Sequence, residues 1–190
     1  MVRGGTDQSP IDIPADARVH RGGLRFRYRS SETKIGSDGY ALRADPVGTS
    51  EVEVDGHVSR LLQFHLHSPS EHTFAGRASA AELHLVHADE AGALTVVGVL
   101  LEAGDAHPGF EALLSGARAL LDPATLLPAV HACIAYRGSL TTPPFDEGVT
   151  WRVLVQPITV SPDQLARLRA IHDGNARPVQ PLGERDLGTR

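Results

Sequence analysis

The chain is poor in the residues that staple small folds or seat them in a membrane: one cysteine, one tryptophan, one lysine and 5% aromatics in 190 residues. With Cys133 alone, no intrachain disulfide is possible, and cysteine-based zinc modules and CxxC redox motifs are excluded. Its apolar neighbours make Cys133 an inert buried thiol. No stretch approaches the roughly 20 apolar residues of a membrane-spanning helix. The longest greasy run, residues 93–101 with Gly98 inside it, has the length of a buried strand. Residues 1–4 have no apolar leader core, which predicts a cytoplasmic chain as written, or a periplasmic or secreted one if a leader has been removed. A formal net charge of -5 with dispersed arginines argues against a nucleic-acid partner. The run Arg25-Phe26-Arg27-Tyr28-Arg29 reads as an alternating strand face instead.

What is present fits one compact domain over residues 1–190, with 41% hydrophobic residues available for a core. Alternation predicts strands at 24–29, 40–44, 51–54, 61–67, 81–87, 95–101 and 149–156. Helical spacing of Phe110, Leu113, Leu114 and Ala117 predicts a helix over 109–121. A second helix starts at Ser161 as N-cap with Pro162 in the first turn, carries Leu165, Leu168 and Ile171, and stops near Gly174. The class is mixed and β-dominated, an antiparallel-rich sheet with peripheral helices.

Two strands carry chemistry. Residues two apart on a strand share a face. Gln63, His65 and His67 therefore point one way and Leu62, Phe64 and Leu66 the other. In the same manner Glu82, His84 and Val86 oppose Ala81, Leu83 and Leu85. If the two polar faces align in one sheet, three imidazoles converge on a zinc ion and leave its fourth position open. Gln63 and Glu82 each stand two residues before a candidate ligand, on its own face, where a partner for the second ring nitrogen belongs. Of the ten histidines, His20, His57, His107 and His172 read as ordinary surface or core residues. His72 is open to either reading. His87 falls on the apolar side of its strand and is expected to be structural.

The segment Tyr136-Arg137-Gly138-Ser139-Leu140-Thr141-Thr142-Pro143-Pro144, followed by Val149-Thr150-Trp151, makes a family resemblance specific. With Gln8-Ser9-Pro10-Ile11-Asp12-Ile13, Gln63-Phe64-His65-Leu66-His67, Ser70-Glu71-His72-Thr73, the strand through His84, and Arg177-Pro178-Val179-Gln180-Pro181-Leu182, it resembles the alpha-class carbonic anhydrases in order and over nearly the whole chain. The resemblance implies a large twisted, mainly antiparallel central sheet and zinc-dependent reversible hydration of carbon dioxide to bicarbonate and a proton. It implies His65, His67 and His84 as zinc ligands, Thr141 as the gatekeeping hydroxyl, and Glu71 as the carboxylate that fixes its proton. Gln63, Glu82 and the carbonyl of Asn175 would orient the ligands. Val86, Val96, Leu140, Thr142, Val149 and Trp151 would line the substrate pocket. Sulfonamides and small anions are the implied inhibitors, and a homodimer is compatible with the resemblance.

Three departures from the family pattern generate expectations. Tyr40 stands where a proton-shuttling histidine follows a glycine in many members. Tyrosine ordinarily titrates near 10 and histidine near 6.5, so proton export is expected to be slow. Only residues 1–7 precede the Gln-Ser-Pro motif, a flexible remnant of a usually aromatic-rich segment. Phe145 occupies the place after the Pro-Pro pair where bacterial relatives commonly have a disulfide cysteine. Two other readings compete. One is a cupin-type metalloenzyme, in which Glu71 joins His65 and His67 as a ligand of iron or manganese, although Ser59 and Ala78 stand where that pattern wants glycine. The other is a non-catalytic binding module of the same fold.

Overall fold

The computed structural model describes residues 5–188. In chain order its strands are β1 (Asp12–Ile13), β2 (Leu24–Arg27), β3 (Ser31–Ser37), β4 (Leu42–Pro46), β5 (Glu51–Val54), β6 (His57–His67), β7 (Thr73–Phe74) and β8 (Arg77–Ala78). There follow β9 (Ala81–Ala88), β10 (Leu94–Ala103), helix α1 (Pro108–Leu114), β11 (Arg118–Leu121), β12 (Cys133–Ser139), β13 (Glu147–Val160) and helix α2 (Pro162–Ile171). A ten-stranded sheet runs β11-β3-β4-β6-β9-β10-β13-β12, with β5 pairing β6 and β2 pairing β5. All its pairings are antiparallel except β10 with β13. β1 pairs parallel to β7 in a small second sheet with β8.

The sheet separates two apolar clusters. Behind it, Phe64, Leu66, Leu83, Leu85, Val97 and Val99 pack with Phe110 and Leu113 of α1 and Leu165 and Leu168 of α2. In front, Val86, Val96, Ile134, Tyr136, Val149 and Trp151 pack with Ile11 and Ile13. β10 is buried on both faces over most of its length, which explains why Thr95-Val96-Val97-Gly98-Val99-Leu100-Leu101 reads as an unbroken apolar run rather than an alternation.

Several expectations need correction. The helix predicted over 109–121 ends at Leu114; Gly116 takes a left-handed φ of 64° and the chain continues as β11. Arg118 and Leu121 pair with Lys34 and Ser31, so an open edge of β3 recruits residues that local spacing alone assigns to a helix. The strand expected at 40–44 begins at Leu42 because Asp38 Oδ1 accepts from the backbone N–H of Tyr40 and Ala41, both at 2.9 Å, and folds a turn there. β2 stops at Arg27, β6 begins at His57 and β13 runs from Glu147 to Val160. β3 and β12 were not anticipated. Leu62 departs from its predicted face: a register shift between Leu61 and Gln63 bulges it outward, 47% exposed, while Leu61 fills the back core. By contrast α2 starts as expected, with Ser161 Oγ accepting from Gln164 N at 3.2 Å and Gln164 Oε1 accepting from Ser161 N at 3.0 Å. Of the seven residues before the Gln-Ser-Pro motif, residues 1–4 lie outside the described part, while Asp7 N donates to Glu147 Oε1 at 2.8 Å.

His87 lies on the back face, fully buried. Its Nδ1 is 3.2 Å from the Thr95 carbonyl and its Nε2 2.7 Å from the Tyr28 hydroxyl, so the neutral ring donates once and accepts once. Burial pushes its pKa down to about 4. A folded-state pKa below the unfolded value of about 6.5 means that the stabilisation is complete above pH 6.5 and disappears as pH falls through 4. Urea unfolding between pH 7 and 4 should therefore show His87→Gln losing less stability with acid than the parent, by up to about 3 kcal/mol at 1.36 kcal/mol per pKa unit. Parallel pH curves for the two proteins would contradict this.

Candidate metal centre

The site grows from the pairing of β6 with β9. The register sets His65 opposite His84, His67 opposite Glu82 and Gln63 opposite Val86, so the two polar faces align, which the alternation left as a condition. The candidate ligand atoms of His65, His67 and His84 all lie within 4.8 Å of one another. Ring centroids are 5.0 Å apart for His65 and His67, 5.3 Å for His65 and His84, and 4.7 Å for His67 and His84.

Two of the rings have their other nitrogen hydrogen-bonded, and the third sets it beside a carboxylate. His65 Nδ1 lies 2.9 Å from Gln63 Oε1, and His67 Nδ1 lies 3.2 Å from the Asn175 carbonyl. His84 Nε2 lies 3.0 Å from Glu82 Oε1, off the line of a well-aligned bond. These contacts leave Nε2 of His65, Nε2 of His67 and Nδ1 of His84 as the inward atoms. His67 Nε2 is buried without a hydrogen-bond partner. An orphaned imidazole nitrogen beside two others is costly in a protein interior and natural in a metal-ligand set, so the residues present fit the zinc ion the family pattern implies.

Electrostatics keep two of the rings neutral. Burial, then the charge of His84, lowers the pKa of His67 to about 3; burial and the neighbouring histidines hold His65 well below its usual range. For His84 burial works downward, but the Glu82 carboxylate outweighs it and the pKa is raised. Glu82 itself is fully buried, which favours its neutral form, yet His72 and His84 bring its pKa well down. Its Oε2 accepts from the backbone N–H of Glu71 at 2.9 Å and of His72 at 2.8 Å, and its Oε1 lies 2.7 Å from His72 Nδ1. His72 continues the chain from Nε2 to the Tyr136 hydroxyl at 2.7 Å. The open question over His72 thus resolves to a wholly buried structural residue.

Glu71 is 2% exposed, and its Oε1 accepts from Arg177 N at 2.8 Å. Burial raises its pKa, opposed by His84 and by the Thr141 hydroxyl as hydrogen-bond donor; Oε2 makes no well-aligned bond. Thr141 follows β12 in a loop anchored where the Trp151 indole N–H donates to the Ser139 carbonyl at 2.9 Å. Val86, Val96, Leu140, Thr142 and Trp151 line a small cavity with Gln63, His65, His84 and Thr141. Its volume is about 40 Å³, room for a molecule of a few heavy atoms. Val149 is buried in the same front cluster but does not line the cavity. Larger, shallower concavities, such as the one beside Glu51 and Arg60, hold no group of three convergent donors among the described residues. Tyr40 is 67% exposed, and its carbonyl accepts from Asn175 Nδ2 at 2.9 Å.

Sequence reasoning passed over Arg43, which pairs opposite His65 on the front face and donates through Nε and Nη2 to Asp45 Oδ1 at 2.9 and 2.7 Å. The alternation of Leu42, Arg43 and Ala44 was the available signal. Gly98 was also passed over. It pairs opposite His84, and a Cβ there would stand 2.7 Å from Glu82 Oε1.

Three convergent imidazoles beside a small cavity that also presents Val86, Val96, Leu140 and Trp151 define a class: the donor set of a mononuclear metal-site enzyme. Comparison with known proteins makes the class specific. The family model described as eukaryotic-type carbonic anhydrase matches residues 2–190. A carbonic anhydrase of Klebsiella pneumoniae is 38% identical over 194 residues, covering 95% of this chain and 79% of that protein. The solved alpha-carbonic anhydrase of Photobacterium profundum superposes with a TM-score of 0.91 at 36% identity, covering 96% of this chain and 89% of the other. The Thermovibrio ammonificans alpha-carbonic anhydrase, solved with the inhibitor sulfanilamide, gives 0.89 at 38% identity over 96% and 86% of the two chains. The chain belongs to the eukaryotic-type carbonic anhydrase family, an enzyme family whose reaction is the hydration of carbon dioxide.

Gly98→Ala should displace Glu82 and loosen the His84 ring it faces. Zinc affinity, measured by competition with a chromophoric chelator, is expected to fall by about tenfold to a hundredfold. Unchanged affinity would mean that Glu82 does not tune that ligand.

Proposed function

We propose that this chain hydrates carbon dioxide reversibly at a zinc ion held by His65, His67 and His84. The observation that carries the reading is the buried, partnerless Nε2 of His67 beside His65 and His84, which line a small cavity with Val86, Val96, Leu140 and Trp151. Zinc bound there supplies Lewis acidity that makes water a nucleophile near neutral pH.

The chain's own residues then do three things. Val86, Val96, Leu140 and Trp151 present apolar surface to a substrate with no net dipole, while Thr142 lines the cavity with a hydroxyl beside that of Thr141. Thr141, by donating its hydroxyl proton to Glu71, is left with lone pairs facing the cavity and accepts a hydrogen bond from the attacking water, which orients it. The Thr141 backbone N–H can hold an oxygen of the nascent bicarbonate. Gln63, Glu82 and Asn175 keep each imidazole in the tautomer that aims its free nitrogen inward. Glu71 acts through Thr141 in this reading and is not a metal ligand.

Proton export is the slow step. Tyr40 at the turn before β4 offers a phenol where a group titrating near neutrality is required. Sulfonamides and small anions are expected to compete at the site, in line with the relative solved with sulfanilamide.

Stopped-flow hydration assays on zinc-loaded protein test the reading. A rate that disappears in His84→Ala and climbs with imidazole from trace to tens of millimolar is the expected result. Inactive zinc-replete protein would overturn the catalytic assignment, and turnover independent of buffer would overturn the role given to Tyr40.

A further inference from the structure

The loop bearing Thr141 is held at its far end by the side chains of Arg177 and Gln8, which meet at Phe145. Phe145, which closes that loop, has a φ of 65°, a left-handed conformation that bulky L-residues rarely adopt without external support. Its N–H donates to the Thr142 carbonyl at 2.9 Å, and its carbonyl accepts from Gln8 Nε2 at 3.2 Å. Over its ring sits Arg177, with the guanidinium carbon 3.8 Å from the centroid. The same guanidinium donates from Nη1 to the Ser9 carbonyl at 2.5 Å and from Nη2 to Gln8 Oε1 at 3.0 Å. The backbone N–H of Arg177 donates to Glu71 Oε1 at 2.8 Å. One residue therefore touches the support of Phe145, the segment before β1 and the carboxylate beside Thr141.

Resting on the carbonic anhydrase reading above, we propose that Arg177, stacked on Phe145, is a positioning residue that sets the Thr141 loop against Glu71 and the three histidines. The chain has a single cysteine, at position 133, so no covalent cross-link can do this work. The planar, forked guanidinium suits it: the flat face covers the phenyl ring while the edge reaches two acceptors. Removing it frees Phe145 to relax, and the displacement passes through the three intervening residues to Thr141. The backbone bond to Glu71 survives any side-chain substitution, so the effect must travel through the loop.

The test compares the parent with Arg177→Gln, Arg177→Lys, Phe145→Leu and the double variant Arg177→Gln/Phe145→Leu, each loaded with zinc and checked for metal content. Expected are full zinc affinity, a kcat/KM for carbon dioxide hydration lower by about tenfold to a hundredfold in Arg177→Gln, and only partial recovery in Arg177→Lys. The double variant should be no worse than the poorer single one, because both substitutions break one contact. Fluorescence of Trp151, the only tryptophan, gives a readout independent of turnover, since its indole is bonded to Ser139 at the base of the loop. Its emission should shift in the Arg177 and Phe145 variants without metal. Unchanged kcat/KM and unchanged emission in folded variants would overturn the proposal, as would losses that track zinc content or add in the double variant. If the parent itself is inactive, the functional reading fails, and the emission shift alone decides whether Arg177 positions the loop. Phe145→Leu, the mildest change, decides the matter if both Arg177 variants fail to fold.

Discussion

Everything in this protein depends on the register between β6 and β9. A slip of one residue would turn every side chain of β6 to the opposite face and scatter the imidazoles. The back core prevents it: Phe64, Leu66, Leu83 and Leu85 are each at most 1% exposed, and burying a side chain of this size contributes about 1.5–3 kcal/mol. The hydrophobic effect on one face of the sheet thus sets the arrangement of the three imidazoles on the other. The Leu62 bulge belongs to the same constraint, because the strand passes Leu61 to the core and still delivers Gln63, His65 and His67 to the front.

The front face meets a second constraint, the cost of burying charge. Glu82 is a fully buried carboxylate that would be untenable alone. It is held by two backbone N–H groups and His72, with His84 close by, and His72 is held in turn by Tyr136, whose hydroxyl donates to Ser9 Oγ at 2.9 Å. Networks of this kind stabilise only when complete. That completeness ties the segment before β1, the β7 approach, β9 and β12 into one unit around the histidines.

Within that frame the apolar and polar halves of the site divide the chemistry. Val86 of β9, Val96 of β10 and Trp151 of β13 supply apolar surface to the cavity, and the loop after β12 brings Thr141 and Thr142 to its lining. Val96 and Trp151 in that apolar surface are at most 2% exposed, and the loop is anchored at Trp151, Ser9 and Arg177.

The alternation of residues 63–67 and 81–86 was enough to put Gln63, His65 and His67 on one face of their strand and Glu82, His84 and Val86 on one face of theirs. The capping pattern at Ser161 was enough to start α2. Those are local properties, set by a period of two or by an interval of three residues along one stretch of chain. The tertiary structure decided the rest. Asn175 reaches His67 across 108 positions, the β11 segment forsakes helix for the free edge of β3, and Arg43 meets His65 only because β4 lies beside β6. Likewise His72 acquires its structural role from Glu82, ten residues away, and from Tyr136, sixty-four away. The order in which strands assemble determines such neighbours, and that order is a property of the whole core rather than of any segment that contributes to it.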